Sequence, residues 1–302
     1  MHTFPRQLLH PRHWSSWTVI LLLRIVALLP FRAKLIAGQL FGHIGYHLIA
    51  RRRHIVETNV RLCFPDHDAA EQRKLVRKIF VANGIGFFEI AWSWWANDSD
   101  IARRYRVEGM EYLDKAKAQG RGILLIGAHF THIDLCGTMA NQVVPMDVVY
   151  RKNNNPVFEH IITKGRQRVF NHVLERSNMR AIVKNLRAGN TVWYSPDQDF
   201  GGRQAVFAPF FGINAATLVS TSRLVKMGQA TPIGFFHYRD PVTQQYRIVF
   251  KEVTEDFPSG DDVRDAILIN RMLEKAIAEQ PDQYMWVHRR FKTRPDGEPS
   301  LY

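Results

Sequence analysis

Cysteine is scarce, with Cys63 and Cys136 the only two in 302 residues. Two thiols this far apart supply neither a disulfide framework nor a cysteine-type zinc site. They fit reduced thiols on the cytoplasmic side. Acidic residues are in deficit, 28 against 41 Lys and Arg, for a formal net charge of +13. That imbalance calls for acidic partners: nucleic acid, anionic lipid or an acidic carrier protein. No helix-turn-helix or RNA-binding sheet motif is present, so nothing favours nucleic acid. There is no repeat at solenoid or propeller spacing and no low-complexity segment. Long hydrophobic runs are also missing. The best, "WTVILLLRIVALLPF" from Trp17 to Phe31, is broken by Arg24 and falls short of the roughly 20 residues a simple span wants. No small-residue cleavage site follows it, because Phe31-Arg32-Ala33-Lys34 comes next. This argues against a secretory signal.

The N-terminal region nevertheless reads as a membrane attachment. Arg6 and Arg12 precede the apolar run, and Trp14 and Trp17 sit at its edge like an interfacial belt. A second mostly apolar stretch, Leu35 to Ala50, ends at Arg51-Arg52-Arg53, a cluster that an anionic leaflet attracts and that stays cytoplasmic. The expectation is an N-terminal membrane-associated helix, either a full transmembrane span or an interfacial helix. The competing reading is a buried core helix followed by a solvated basic turn. Residues 1–60 are then anchor and basic juxtamembrane segment, and residues 61–302 one catalytic domain.

Asp68 with Glu71 three residues later forms a capping box ahead of a helical apolar pattern. The tryptophan-rich "GFFEIAWSWWAND" follows, as a packing helix or an acyl-chain surface. From Gly122 the texture alternates. Short apolar runs "GILLI", "MDVVY", "TVWY", "PIGFF" and "YRIVF" read as strands, with helices expected over 156–170, 177–189, 214–228 and 261–280. The fold class is α/β, a mainly parallel sheet flanked by helices. Ligands in such sheets bind beyond the carboxyl ends of the strands. "GAHFTHID", "RKNNNP" and "SPDQDFGGR" each follow an expected strand, so three polar segments meet at one sheet edge.

His129, His132 and Asp134 crowd the first of these segments. A zinc site needs three or four ligands, and no third histidine stands at a matching spacing, so no metal is expected. On one continuous helix residues 129 and 134 point apart. They meet only if His129 lies in the loop after the strand and Asp134 in the first turn of the next helix. A carboxylate on one imidazole nitrogen leaves the other as a general base near neutral pH. The stretch holds no serine or cysteine nucleophile, so this base activates a substrate hydroxyl or water.

An H-x-x-x-x-D motif after an apolar strand resembles the glycerolipid-type acyltransferases. The whole chain is similar, more closely, to the lipid A late acyltransferases of the lauroyl-transferring kind. "LLHPRHW", "NVRLCFPD", "RGILLIGAHF", "VYRKNNNP", "VWYSPDQDFG" and "QYMWVHRRFKTRP" carry the match. The last is unlike anything in lysophosphatidic acid acyltransferases, the rival enzyme reading. A non-catalytic basic membrane-binding protein is the rival outside enzymes. The resemblance implies a glycerolipid-acyltransferase-like fold and an inner-membrane location with the catalytic domain on the cytoplasmic face. It implies transfer of a lauroyl or similar chain from acyl carrier protein to the hydroxyl of a 3-hydroxyacyl chain on the Kdo-bearing lipid A precursor. The carrier thioester is a co-substrate and no cofactor is expected. Acyl carrier protein, the lipid A precursor and anionic membrane lipid are the implied partners. His129 and Asp134 are the implied dyad, although the family usually carries glutamate at the second position. Arg166 and Asp197 match residues the family needs, Arg166 for a phosphate or developing oxyanion and Asp197 to hold Arg166 or shape the acceptor site. Arg151, Asn155 and Arg203 are further substrate-contact candidates. His288, Arg289, Arg290, Lys292 and Arg294 stand either as headgroup contacts or as a solvated basic tail.

Overall fold

The computed structural model describes residues 5–254 and 256–302. Four helices lead the chain: α1 (Trp14–Leu28), α2 (Phe31–Leu48), α3 (Ala50–Cys63) and α4 (Ala69–Trp95). Pro30 separates the first two, because a proline cannot donate the backbone hydrogen bond that would continue α1. Asp68 caps α4 with the reciprocal Glu71 bond the sequence predicts, and the tryptophan-rich segment simply extends that helix. Among the described residues, no helix is long and apolar enough to cross a membrane. The expected transmembrane span is therefore corrected. At about 1.5 Å per residue, α1 covers roughly 22 Å of the 30 Å or so a bilayer core demands, and α2 interrupts its apolar residues with Arg32, Lys34, Gln39 and His43.

Short α5 (Asp98–Ala102) leads into the α/β region: β1 (Tyr105–Glu108), α6 (Met110–Ala118), β2 (Ile123–Gly127), α7 (Ile133–Val143), β3 (Asp147–Tyr150), α8 (Pro156–Val169), β4 (Val173–Glu175), α9 (Met179–Arg187) and β5 (Thr191–Tyr194). A hairpin of β6 (Ala205–Phe210) and β7 (Ile213–Leu218) precedes α10 (Ser220–Gly228), β8 (Thr231–Arg239), β9 (Tyr246–Glu252) and α11 (Asp262–Glu279). The helix expected over 214–228 thus begins only at Ser220, its first third being strand. Phe211 and Gly212 turn the hairpin with φ of 50° and 78°, the left-handed pair that a two-residue hairpin loop uses.

Seven strands form one sheet in the order β1-β9-β8-β2-β5-β3-β4. Every pairing is parallel except β8 with β9. The central strand β2 is buried along its whole length, as a strand covered on both faces should be. The chain leaves β2 for β3, yet β5 lies between them, so the strand order switches beside β2. Val56 and Val60 of α3 join the main core with Ile79 and Phe80 of α4.

Candidate active site

Both strands at the switch point release a polar loop at their carboxyl ends. Ile126 of β2 lies opposite Tyr194 of β5 in parallel register, and three residues further along each chain stand His129 and Asp197. The Asp197 carboxylate takes two bonds from His129. The backbone N–H donates to Oδ2 at 2.9 Å, and ring Nδ1 lies 2.6 Å from Oδ1. Burial alone would raise the Asp197 carboxyl. The charge of His129, its two hydrogen bonds and one from the Tyr284 hydroxyl outweigh that and hold it at about 2. An ionised carboxylate on Nδ1 fixes the Nδ1–H tautomer and leaves Nε2 with its lone pair. His129 is partly exposed to a cleft of about 570 Å³.

Asp134 is not the partner of His129, a correction to the dyad read from the sequence. It does sit in the first turn of α7, as that reading required, but its Oδ1 accepts two bonds from Arg166 of α8, at 2.9 Å from Nε and 2.7 Å from Nη2. The reason is the strand order: β5 beside β2 brings Asp197 directly against the imidazole. For the same reason Asp197 does not hold Arg166. Two ion pairs, His129–Asp197 and Arg166–Asp134, therefore stand on one cleft.

Arg151, Arg166 and Arg203 all line that cleft, and Asn155 does not. Asn155 caps α8, accepting from the N–H groups of Val157 and Phe158 at 3.0 and 3.3 Å, and its amide reaches Ser16 at 2.9 Å. Arg176 lines the cleft, and its guanidinium lies 4.3 Å from the Phe200 ring centroid. Sequence reasoning missed it because β4, the strand it follows, is three residues long. Ile133, Val148, Met179, Trp193 and Leu218 give the cleft an apolar share, beside polar Ser177, Ser195, Gln198 and Ser220. A cleft that combines apolar side chains with four guanidinium groups suits a chain with an anionic head.

The C-terminal segment braces this site. Met285 N–H donates to the His129 carbonyl at 2.9 Å, and Thr131 N–H to that of Gln283 at 2.9 Å. Asp199 accepts from Thr293 N–H at 2.6 Å and from its hydroxyl at 2.8 Å. Within the basic cluster, Arg290 is buried and bonds the Ala216 carbonyl at 2.7 Å, and Arg294 bonds that of Asn214 at 2.7 Å. These two are internal struts, neither headgroup contacts nor a solvated tail. Burial, then the nearby His129 charge, lower His288 to about 4.

His132 points away from the cleft into the core. With Cys136 and His237 it forms a buried group whose candidate ligand atoms lie within 4.8 Å of one another. The sequence hid this because His237 arrives from β8. His132 Nε2 lies 3.2 Å from the His237 carbonyl, so Nε2 carries the proton and donates to it. Burial pushes the Cys136 thiol well up, away from thiolate.

A mainly parallel α/β sheet with a carboxylate-bound histidine at its switch point is an arrangement able to deprotonate a substrate group. Comparison with known proteins narrows that chemistry. The profile of the bacterial lipid A biosynthesis acyltransferase family matches residues 1–293, and the chain belongs to that family. It is 39% identical over 300 residues to the lipid A biosynthesis lauroyltransferase of Escherichia coli (strain K12), covering 99% of this chain and 98% of that one. It is 36% identical to the palmitoleoyltransferase of the same organism at the same coverage. It is 27% identical to the lipid A biosynthesis myristoyltransferase there, over 99% of this chain and 93% of that one. The protein is an acyltransferase of lipid A biosynthesis.

Proposed function

We propose that this acyltransferase moves a lauroyl or similar chain from an acyl-carrier-protein thioester to the hydroxyl of a 3-hydroxyacyl chain on the Kdo-bearing lipid A precursor. The observation that carries this is the His129–Asp197 pair, whose histidine opens on a cleft lined by arginines and apolar side chains. In this reading Nε2 of His129 takes the acceptor hydroxyl proton while that oxygen attacks the thioester carbonyl carbon. Asp197 stabilises the imidazolium that forms. The C–S bond then breaks, and His129 passes its proton to the departing carrier thiolate, which restores the base. Arg166, kept in place by Asp134, presents its remaining donors to the developing oxyanion or to a precursor phosphate. Arg151, Arg176 and Arg203 neutralise the acidic headgroup.

The protein sits on the cytoplasmic face of the inner membrane as an interfacial protein. The support is the outward stripe Ile36, Leu40, Ile44 and Leu48 on α2, with Leu22 and Leu28 exposed on α1. These apolar side chains lie on the surface of a strongly basic chain. Purified protein, acyl-carrier thioesters of twelve and sixteen carbons, and lipid A precursor with and without Kdo test the chemistry. Mass spectrometry should show one ester-linked chain added from the preferred donor. No product from either donor on the Kdo-bearing precursor would refute the reading.

A further inference from the structure

We propose that the cleft between α2, the first half of α4 and the turn joining β8 to β9 binds the headgroup of an anionic phospholipid in the membrane on which the protein docks. The inference rests on the membrane-docking reading above and adds a specific site to it. The cleft measures about 560 Å³ and shares no lining residue with the catalytic one. Arg73, Lys74, Arg77 and Lys78 of α4 line it. All four are exposed. Among the described residues the one carboxylate they act on is Asp68, lowered first by the Glu71 and Ala70 N–H groups and in lesser part by Arg73, without a salt bridge between Asp68 and Arg73. Cations spaced this way share one helix face, where like charges four apart weaken a helix. A bound phosphate would relieve that repulsion.

The remaining wall tells which anion fits. Gln39 and His43 of α2 line the cleft. At 3.6 residues per turn, His43 lies about 20° round the helix from Ile36, the first residue of the exposed apolar stripe. A lipid whose chains lie along Ile36, Leu40 and Ile44 therefore has its phosphate at the mouth of the cleft. Arg239 at the floor is already taken by Glu89 at 2.5 Å, and Asp282 is the one carboxylate on the lining among the described residues. Gln244 also lines the cleft, and its Oε1 is buried without a partner. A headgroup hydroxyl would satisfy it, as in a phosphatidylglycerol.

The test is sedimentation of the full chain with vesicles of dioleoylphosphatidylglycerol or dioleoylphosphatidylcholine. A cation near an anionic surface strengthens binding about fivefold. The double variant R73A/R77A should thus bind the anionic vesicles about 25-fold more weakly, with binding to neutral vesicles unchanged. K74A/K78A should behave alike and guards against one variant misfolding. The control K117A/R121A removes equal charge from the exposed end of α6 and the turn after it and should lose less than about threefold, since charges beyond about 10 Å are screened at 0.1 M salt. Equal loss in the control, or native binding in both cleft variants, would overturn the site while leaving membrane docking intact. Native protein that binds neither vesicle would overturn docking itself, and the site with it. Cleft variants that keep vesicle binding but lose turnover with the carrier thioester in detergent would make this the carrier's surface instead, and the lipid proposal would fall.

Discussion

At His129 the backbone and the ring bind one carboxylate, so the loop and the imidazole are held by the same bond network. Asp134 has the different task of fixing Arg166. Removing either member of that second pair disables it, so Asp134→Asn and Arg166→Met should each cut turnover about tenfold or more. The double variant should be little worse than either alone, because contacting residues are not additive. Losses that multiply in initial-rate measurements would separate the two residues. His132 gives a pH prediction. Burial, then the Arg239 charge, depress it to about 3, below the ordinary value of 6.5. Between those values the unfolded chain binds more protons than the native one, so stability is full above about 6.5 and falls as pH falls toward 3. The slope for one such group approaches about 1.4 kcal/mol per pH unit. His132→Gln should flatten the pH dependence of the urea midpoint below 6.5, and an unchanged slope would deny the buried neutral state. The role of His129 as a loop histidine after a strand was readable in the sequence. Its partner was not, since five-residue spacing singled out Asp134 while the choice of Asp197 depends on which strand lies beside β2.

Among the elements, the pairing of α2 with α4 rests on an absence of side chains. A Cβ on Gly84 would lie 2.3 Å from the Gly38 carbonyl oxygen and 2.4 Å from the Gly42 nitrogen. Backbone cannot give way as a side-chain tip can, so Gly84→Ala should cost about 1–3 kcal/mol or more. Chemical denaturation measures it, and a loss under about 0.5 kcal/mol would mean the helices do not cross so closely. Five strands were legible because each is a short, largely buried apolar run. β1 and β4 were not, having mixed burial at the two sheet edges. The β6–β7 hairpin escaped for another reason. Asn214 reads as a helix cap by type, yet it sits in a strand register opposite Pro209.

For the whole molecule, excess positive charge and a hydrophobic N-terminal region were visible from composition alone. What composition could not give was the break at Pro30, which replaces a span with two helices whose outer faces stay apolar. Insertion of such a face does not screen, whereas attraction by basic residues does. The Leu40→Asp/Ile44→Asp double variant should therefore release much of the protein from membranes, while high salt alone should not release the native chain. Full extraction of native protein by salt in a flotation assay would contradict the apolar docking face.

The central claim is that His129 and Asp197 act as one base. A double-mutant cycle on the rate of acyl transfer from a single carrier thioester tests it most directly. General base catalysis is worth roughly 10²–10⁴-fold, and His129→Ala should lose about that much while remaining folded. Asp197→Asn should lose a comparable factor, and the combined variant should be no slower than His129→Ala alone. An Asp197→Asn enzyme within a few-fold of native, or losses that multiply in the combined variant, would contradict the account.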